Sequence, residues 1–227
     1  MDGERRTANG ERRTANGERS RITVHVFKRG LLSAVAHHHH FVASKWHATA
    51  AFDGASPSGA HVEVIIAADS LRDQQAALSQ EDRGKVDRQA AGPGVLDARR
   101  YPEIRFVSNP LDLEPVTSIQ ADAGLRGVLT GTLSLHGQEH PVSVPVTATK
   151  EGNGWRARGA LTFKQSAFGI RPYSGFFGTI AVHDEVKLEY DIVLVAPEHA
   201  SMIHGVAPAP RARSGQGLAR PDGIQRA

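Results

Sequence analysis

Four consecutive histidines, His37 to His40, stand inside the segment LLSAVAHHHHFVASKW. Imidazoles bind transition metals, move protons and hydrogen-bond polar head groups. On an extended strand the rings alternate, so His37 and His39 share one face and His38 and His40 the other. One face then receives two rings from this run, whereas a zinc site needs at least three protein ligands. His25 and His47 are the candidates for a third, if a neighbouring strand brings either alongside. A second stretch, FGIRPYSGFFG (Phe168–Gly178), holds four of the chain's thirteen aromatic residues: Phe168, Tyr173, Phe176 and Phe177. Such a cluster either walls an apolar ligand or plugs a core. Arg171, within it, meets an anionic head group or pairs with a carboxylate at a rim.

Other chemistries are excluded by composition. The chain has no cysteine, which removes disulfides, thiolate nucleophiles and cysteine-ligated metal centres. It has no G-x-S-x-G elbow, no H-E-x-x-H and no Walker loop, and its Gly-x-Gly pairs fall in turns outside any βαβ unit. No cofactor is expected, and no catalytic residue is assigned. The net charge of +3 is unevenly placed. The tails, 1–21 and 201–227, carry ten arginines against five carboxylates, which leaves 17 cationic and 19 anionic side chains in 22–200. A nucleic-acid-binding domain concentrates its cations on the domain itself, so nucleic acid is not an expected partner. No run approaches the ~20 apolar residues that span a bilayer. The N-terminus also lacks the apolar core of a secretory signal, so a soluble, cytoplasmic protein is expected, or a periplasmic or secreted one if translation starts elsewhere.

The elements that must position these residues show period-two patterning. Ile22, Val24 and Val26 fall on one side of RITVHVF, and Ile104 and Phe106 on one side of PEIRFVS. HVEVIIA (61–67) is β-branched. RGVLTGTLSLHG (126–137) and PVSVPVTATK (141–150) read as a hairpin joined through Gln138–His140. EGNG (151–154) supplies an Asn153–Gly154 turn into WRARGALTF (155–163). In the last run, Val186, Leu188, Tyr190, Ile192 and Leu194 point one way while Lys187, Glu189 and Asp191 point the other. Asp184 and Glu185 open that run as solvated charges. Leu133, Leu135, Leu188, Ala148 and Ala160 are taken as interior, and Trp46 and Trp155 as wall residues. One helix is predicted from Ser79, an N-cap with Asp82 three residues on, to Gly92. A short helical turn is expected near Ser70–Leu78. The tails, including the tandem GERRTAN repeat (3–9 and 10–16), have little to bury and are expected to be disordered. About eight strands with one or two short helices make an all-β domain over 22–200, either a closed barrel or a sandwich.

Three ordered segments carry a more specific resemblance. VLDARRYPEIRFVSNPLDL (95–113), GVLTGTLSLHGQEHPVSVPV (127–146) and QSAFGIRPYSGFFGTIAVHDEVKLEYDI (165–192) resemble the signatures of the YceI-like family. The resemblance implies an eight-stranded antiparallel, lipocalin-like barrel closed at one end by a helix. It also implies a long polyisoprenoid or similar amphipathic chain in the lumen, and many family members are periplasmic. In this register His38 and His40 match the family's G-H-x-H histidines, so the run is not a purification tag.

The expected function is therefore binding or sequestration of a long apolar or amphipathic molecule, polyisoprenoid or lipid-like, inside the barrel. Expected ligand contacts are His38, His40, Phe41, Trp46, Phe106, Phe163, Phe168, Tyr173, Phe176 and Phe177. One alternative is a metal-binding protein or metal-dependent enzyme built on the histidine run, with His25, His37, His39 and His47 as further candidates. Another is a partner-binding module whose barrel is filled by its own side chains. Composition leaves the oligomeric state open, a dimer included.

Overall fold

The structure is a computed structural model that describes residues 11–29, 38–52, 57–115, 124–175 and 180–196. The first ten residues, residues 197–227, and His37, Phe176 and Phe177 lie outside the described residues. In chain order the strands are β1 (Glu11–Ala15), β2 (Arg21–Arg29), β3 (His39–Ala43), β4 (Trp46–Phe52), β5 (His61–Ala67) and β6 (Leu71–Asp73). Helix α1 (Gln80–Ala91) follows. Then come β7 (Glu103–Ser108), β8 (Asp112–Pro115), β9 (Gly124–Leu135), β10 (Gln138–Glu151), β11 (Gly154–Lys164), β12 (Ser174–Gly175) and β13 (Ile180–Val195).

Several of these are halves of one bent strand. A 3-10 turn at Gly17–Arg19 separates β1 from β2, and a second at Ala68–Ser70 separates β5 from β6. Ser44–Lys45 interrupts β3–β4, and residues 109–111 interrupt β7–β8. With the halves joined, eight strands follow one another around the sheet, each antiparallel to the next. The ring closes where β1 pairs with both β4 and β13, through Thr14↔Val195 and Ala15↔Leu194 on the latter side. Closure removes the free edges that an open sheet would expose. Beyond the bends, the sheet continues from β13 through β2 and β3 to β6 and ends there, and α1 packs against β6. No helix among the described residues is long and apolar enough to cross a membrane.

The strand β1 lies ahead of the boundary at residue 22 that composition suggests. It comes from the second GERRTAN copy, whose side chains give no period-two signal. Its role is carried by backbone pairing and by Arg13, which is only 6% exposed. The Arg13 guanidinium stacks over the Phe52 ring at 4.9 Å and donates to the Asn153 carbonyl at 2.9 Å. Asn16 then caps the 3-10 turn by accepting the Arg19 N–H. The turn returns the chain over the outer face of β13, where Ser20 Oγ accepts the Val193 N–H and Val193 is fully buried.

The helix forms where expected. Ser79 Oγ accepts the Asp82 N–H at 3.1 Å, which caps the helix, and donates to the Asp82 carboxylate at 2.8 Å, so Asp82 holds the cap through the Ser79 hydroxyl rather than through the backbone N–H that a full capping box uses. Two turns differ from the sequence reading by a few residues. The β9–β10 turn is His136–Gly137, both at positive φ, as a type I′ turn requires, and Gln138–His140 belong to β10. The β10–β11 turn is Gly152–Asn153, with Gly152 at φ 60 and Glu151 paired to Gly154. Glycine at the first central position suits a type II′ turn, so the signal in EGNG came from Gly152 rather than from Asn153–Gly154. The segment 70–78 holds β6 as well as turns, because Leu71–Asp73 finds a partner in β3.

Candidate ligand-binding lumen

The inward faces of the strands enclose two apolar chambers. The narrower, about 130 Å³, has Ala48, Ala50, Ala148 and Ala157 in its wall beside larger apolar residues such as Leu129 and Ile192. The wider, about 480 Å³, lies beside α1, which contributes Val86 and Ala90, four residues apart on one helix face. Ile66, Ile104, Leu133 and Leu188 line both chambers, so the two adjoin inside the barrel. The wider chamber is within the ~300–1,000 Å³ range of small-molecule sites. A barrel filled by its own side chains would lack such spaces.

Period two on β13 holds: Leu188, Tyr190, Ile192 and Leu194 line the narrow chamber while Asp191 points out to Arg156 and Arg158. Leu133, Leu135, Leu188 and Ala148 also face the lumen. Ala160 does not. It lies opposite Glu189, whereas the inward positions of β11 are Trp155, Ala157, Leu161 and Phe163. Gly159 makes room for Tyr190. A Cβ there would stand 2.1 Å from the Pro145 carbonyl oxygen and 2.4 Å from the Tyr190 hydroxyl. That hydroxyl donates to the Pro145 carbonyl at 2.8 Å, and burial pushes the phenol's pKa upward.

Polar groups are distributed unequally. The polar groups of the narrow chamber are Thr49, the Tyr190 hydroxyl and the indole of Trp155, whose Nε1 is buried with no hydrogen-bond partner among the described residues. The wide chamber is lined by Lys28, His39, Asp82, Lys85, Gln89 and Gln165 among its apolar residues. Lys28 has its pKa drawn down by burial, against the opposing charge of Asp73. Lys85 is paired with Glu81 and Asp82, each at 3.0 Å. The Gln165 carboxamide donates to the His183 carbonyl at 2.8 Å. Asp184, expected to be a solvated charge, also accepts the Ser166 N–H and hydroxyl in exposed hydrogen bonds, and these hold its carboxyl below the usual range.

His38, His39 and His40 alternate as their spacing predicts, but it is His39 and not the expected His38 and His40 that lines a chamber. His39, two residues before the buried Phe41, lines the wide chamber, and its Nδ1 lies 2.9 Å from an Asp73 carboxylate oxygen. His40 lies opposite His25 on β2, and the two rings stack at 6.4 Å on the outer face. His38 packs edge-on against Phe27 at 5.8 Å and lines neither chamber. His25 is held by Glu189 at 2.9 Å, and His47 is exposed. Among the described residues no three His, Asp or Glu side chains converge at metal-ligand spacing.

Of the other predicted contacts, Phe106 lines the narrow chamber, and Phe41, Phe163 and Tyr173 line the wide one. Phe168 is a plug: it is 2% exposed and packs edge-on against Phe163 and His140. Trp46 sits at the Ser44–Lys45 bend, against an outer cleft with Arg21 and Arg156. Phe176 and Phe177 lie outside the described residues. Sequence reading missed Lys28, Asp73, Gln165 and the helix residues Val86 and Ala90. Lys28 was available, since it continues the Ile22–Val24–Val26 face; Asp73 was not, because its strand is only three residues long.

The YceI-like domain profile matches residues 14–194. The chain belongs to the YceI-like family. Among curated relatives, a UPF0312 protein of Pseudomonas syringae pv. syringae is 29% identical over 132 residues, 56% of this chain and 60% of that protein. One from Pseudomonas fluorescens is 31% identical over 124 residues, 52% of this chain and 57% of its own length. The chain thus spans about 60% of the length of the curated relatives it matches. Among solved structures, BcnA of Burkholderia cenocepacia superposes with a TM-score of 0.58 at 22% identity, covering 79% of this chain and 98% of BcnA. A polyisoprenoid binding domain from Saccharophagus degradans gives 0.56 at 9% identity, covering 83% and 100%. At these identities the likeness is one of fold, and the YceI-like barrel is the architecture they share with this chain.

Proposed function

We propose that this protein binds a long apolar or amphipathic molecule, of polyisoprenoid or lipid-like character, along the barrel lumen, and that its role is carriage or sequestration rather than catalysis. The observation that supports this is the pair of adjoining apolar chambers inside the barrel, the smaller almost wholly apolar and the larger carrying polar groups beside α1. The polyisoprenoid binding domain from Saccharophagus degradans, which shares this fold, agrees with it. Burial drives the binding. Each CH₂ taken from water contributes ~0.8 kcal/mol, so a few isoprene units offset an association cost of roughly 4–15 kcal/mol. The apolar tail runs towards the alanine-lined chamber, and the head lies by α1.

Native mass spectrometry of full-length protein purified without detergent tests this. A co-purifying long-chain lipid is expected, with rebinding of a long prenyl chain after extraction. Ala148→Leu, which narrows the tail chamber, should shift the bound species to shorter chains. Empty barrels from two different expression hosts, with no uptake of any long chain after extraction, would overturn the proposal.

A further inference from the structure

We propose that the Asp73–His39 pair reads the head group in the wide chamber, and that with Lys28 it selects long-chain ligands whose terminal oxygen carries a hydrogen to donate. This deepens the carrier reading and rests on it.

The Asp73 side chain is fully buried, with 0% exposure. Its carboxylate accepts the Gln75 N–H at 3.2 Å and faces His39 Nδ1 at 2.9 Å. Its backbone N–H donates to Asp87 of α1 at 2.7 Å, which fixes the short strand against the helix. A carboxylate has no hydrogen to give, so the hydrogen of this contact belongs to Nδ1. In the neutral ring Nε2 then carries a lone pair, and it has no partner among the described residues. The buried carboxylate thereby sets the tautomer of a lumen imidazole and makes it an acceptor.

Lys28 supplies the complementary group. His39 lies opposite Val26, and Lys28 is two residues along from Val26, on the same face. Both side chains line the wide chamber. The Lys28 ammonium has no hydrogen bond or ion pair among the described residues. The other charged groups that line this chamber, Asp82 and Lys85, are engaged with one another and with Glu81 and Ser79. One hydroxyl satisfies both free groups: it donates to His39 Nε2 and accepts from Lys28. An ether or a carboxylate accepts from Lys28 but leaves Nε2 unpaired, and a hydrocarbon leaves both unpaired. An unmade hydrogen bond of this kind corresponds to about tenfold in affinity.

Lipid-extracted, full-length protein is titrated with geranylgeraniol, its methyl ether, the matching carboxylic acid and the hydrocarbon. The alcohol should bind about tenfold tighter than the ether. Lys28→Met should weaken alcohol and ether together and leave their ratio intact. Asp73→Asn puts an amide N–H against Nδ1, which moves the ring hydrogen to Nε2 and should reverse the preference towards ether and acid. Should Asp73→Asn fail to fold, His39→Gln and His39→Leu serve in its place. The glutamine keeps an acceptor in the lumen and retains the preference; the leucine loses it. Equal binding of alcohol and ether by the unsubstituted protein, or an alcohol preference that survives Asp73→Asn or His39→Leu, overturns the head-group assignment and leaves the carrier reading standing. Failure of all four ligands to bind removes the carrier reading and this one with it.

Discussion

Trp155 lines the narrow chamber and is 8% exposed, and its Nε1–H has no partner among the described residues. A buried donor without an acceptor is destabilising by about 1–3 kcal/mol, so removing the donor while keeping the ring should cost little. Trp155→Phe is expected to change unfolding stability in urea by less than about 1 kcal/mol, against about 3–5 kcal/mol for Trp155→Ala. A larger loss for the phenylalanine variant would mean that the N–H is bonded in solution. The histidine run shows what a sequence conveys at this scale. Alternation was legible from strand geometry; that His39 faces inward was not legible from the family register. Phe41 held the signal, because an apolar residue in a half-buried strand faces in and takes His39 with it. The Asp73 carboxylate behind His39 was beyond reach, since the contact joins residues 34 apart through a pairing that only the folded sheet creates.

Helix α1 was legible because capping is local: Ser79 and Asp82 meet three residues apart whatever the tertiary fold. No residue of α1 is fully buried; it is attached by Val86 and Ala90, which are partly buried against the core, by Asp87 accepting the Asp73 N–H and by Arg83 donating to the Gln75 carbonyl. An element so lightly packed opens by itself. Ser79→Ala should therefore cost the helix about 1 kcal/mol, seen as faster amide exchange across 80–91 with the global melting temperature nearly unchanged. A matching drop in global stability would show instead that the helix folds as one unit with the barrel. The strand bends were illegible for the opposite reason. Gly17–Arg19 and Ala68–Ser70 break strands whose halves pair with different stretches of their neighbours, and no local pattern records that.

For the whole molecule, alternation in the strands and the ordered family segments were enough to give an eight-stranded barrel. They did not show where it closes. The closing strand is β1, whose residues Glu11, Arg12, Arg13, Thr14 and Ala15 look like a solvated tail. Barrel closure asks of a strand only that its backbone be available on both edges, and polar side chains do not prevent that. Lumen volume was illegible as well, because it depends on the total of inward side chains set against a circumference fixed by strand number and tilt.

The heptapeptide that supplies β1 is preceded by a perfect duplicate at Gly3–Asn9. Deleting residues 3–9 and deleting residues 10–16 consequently produce one and the same polypeptide, in which a single GERRTAN still leads into Gly-Glu-Arg-Ser. That shortened chain should melt at the temperature of the parent, whereas removal of both copies, 3–16, should leave β4 and β13 unbridged and lower the melting point sharply. Contraction of the duplication by a replication slip would thus be silent at the level of the protein, and the staves of the barrel would never register which of the two copies had been lost.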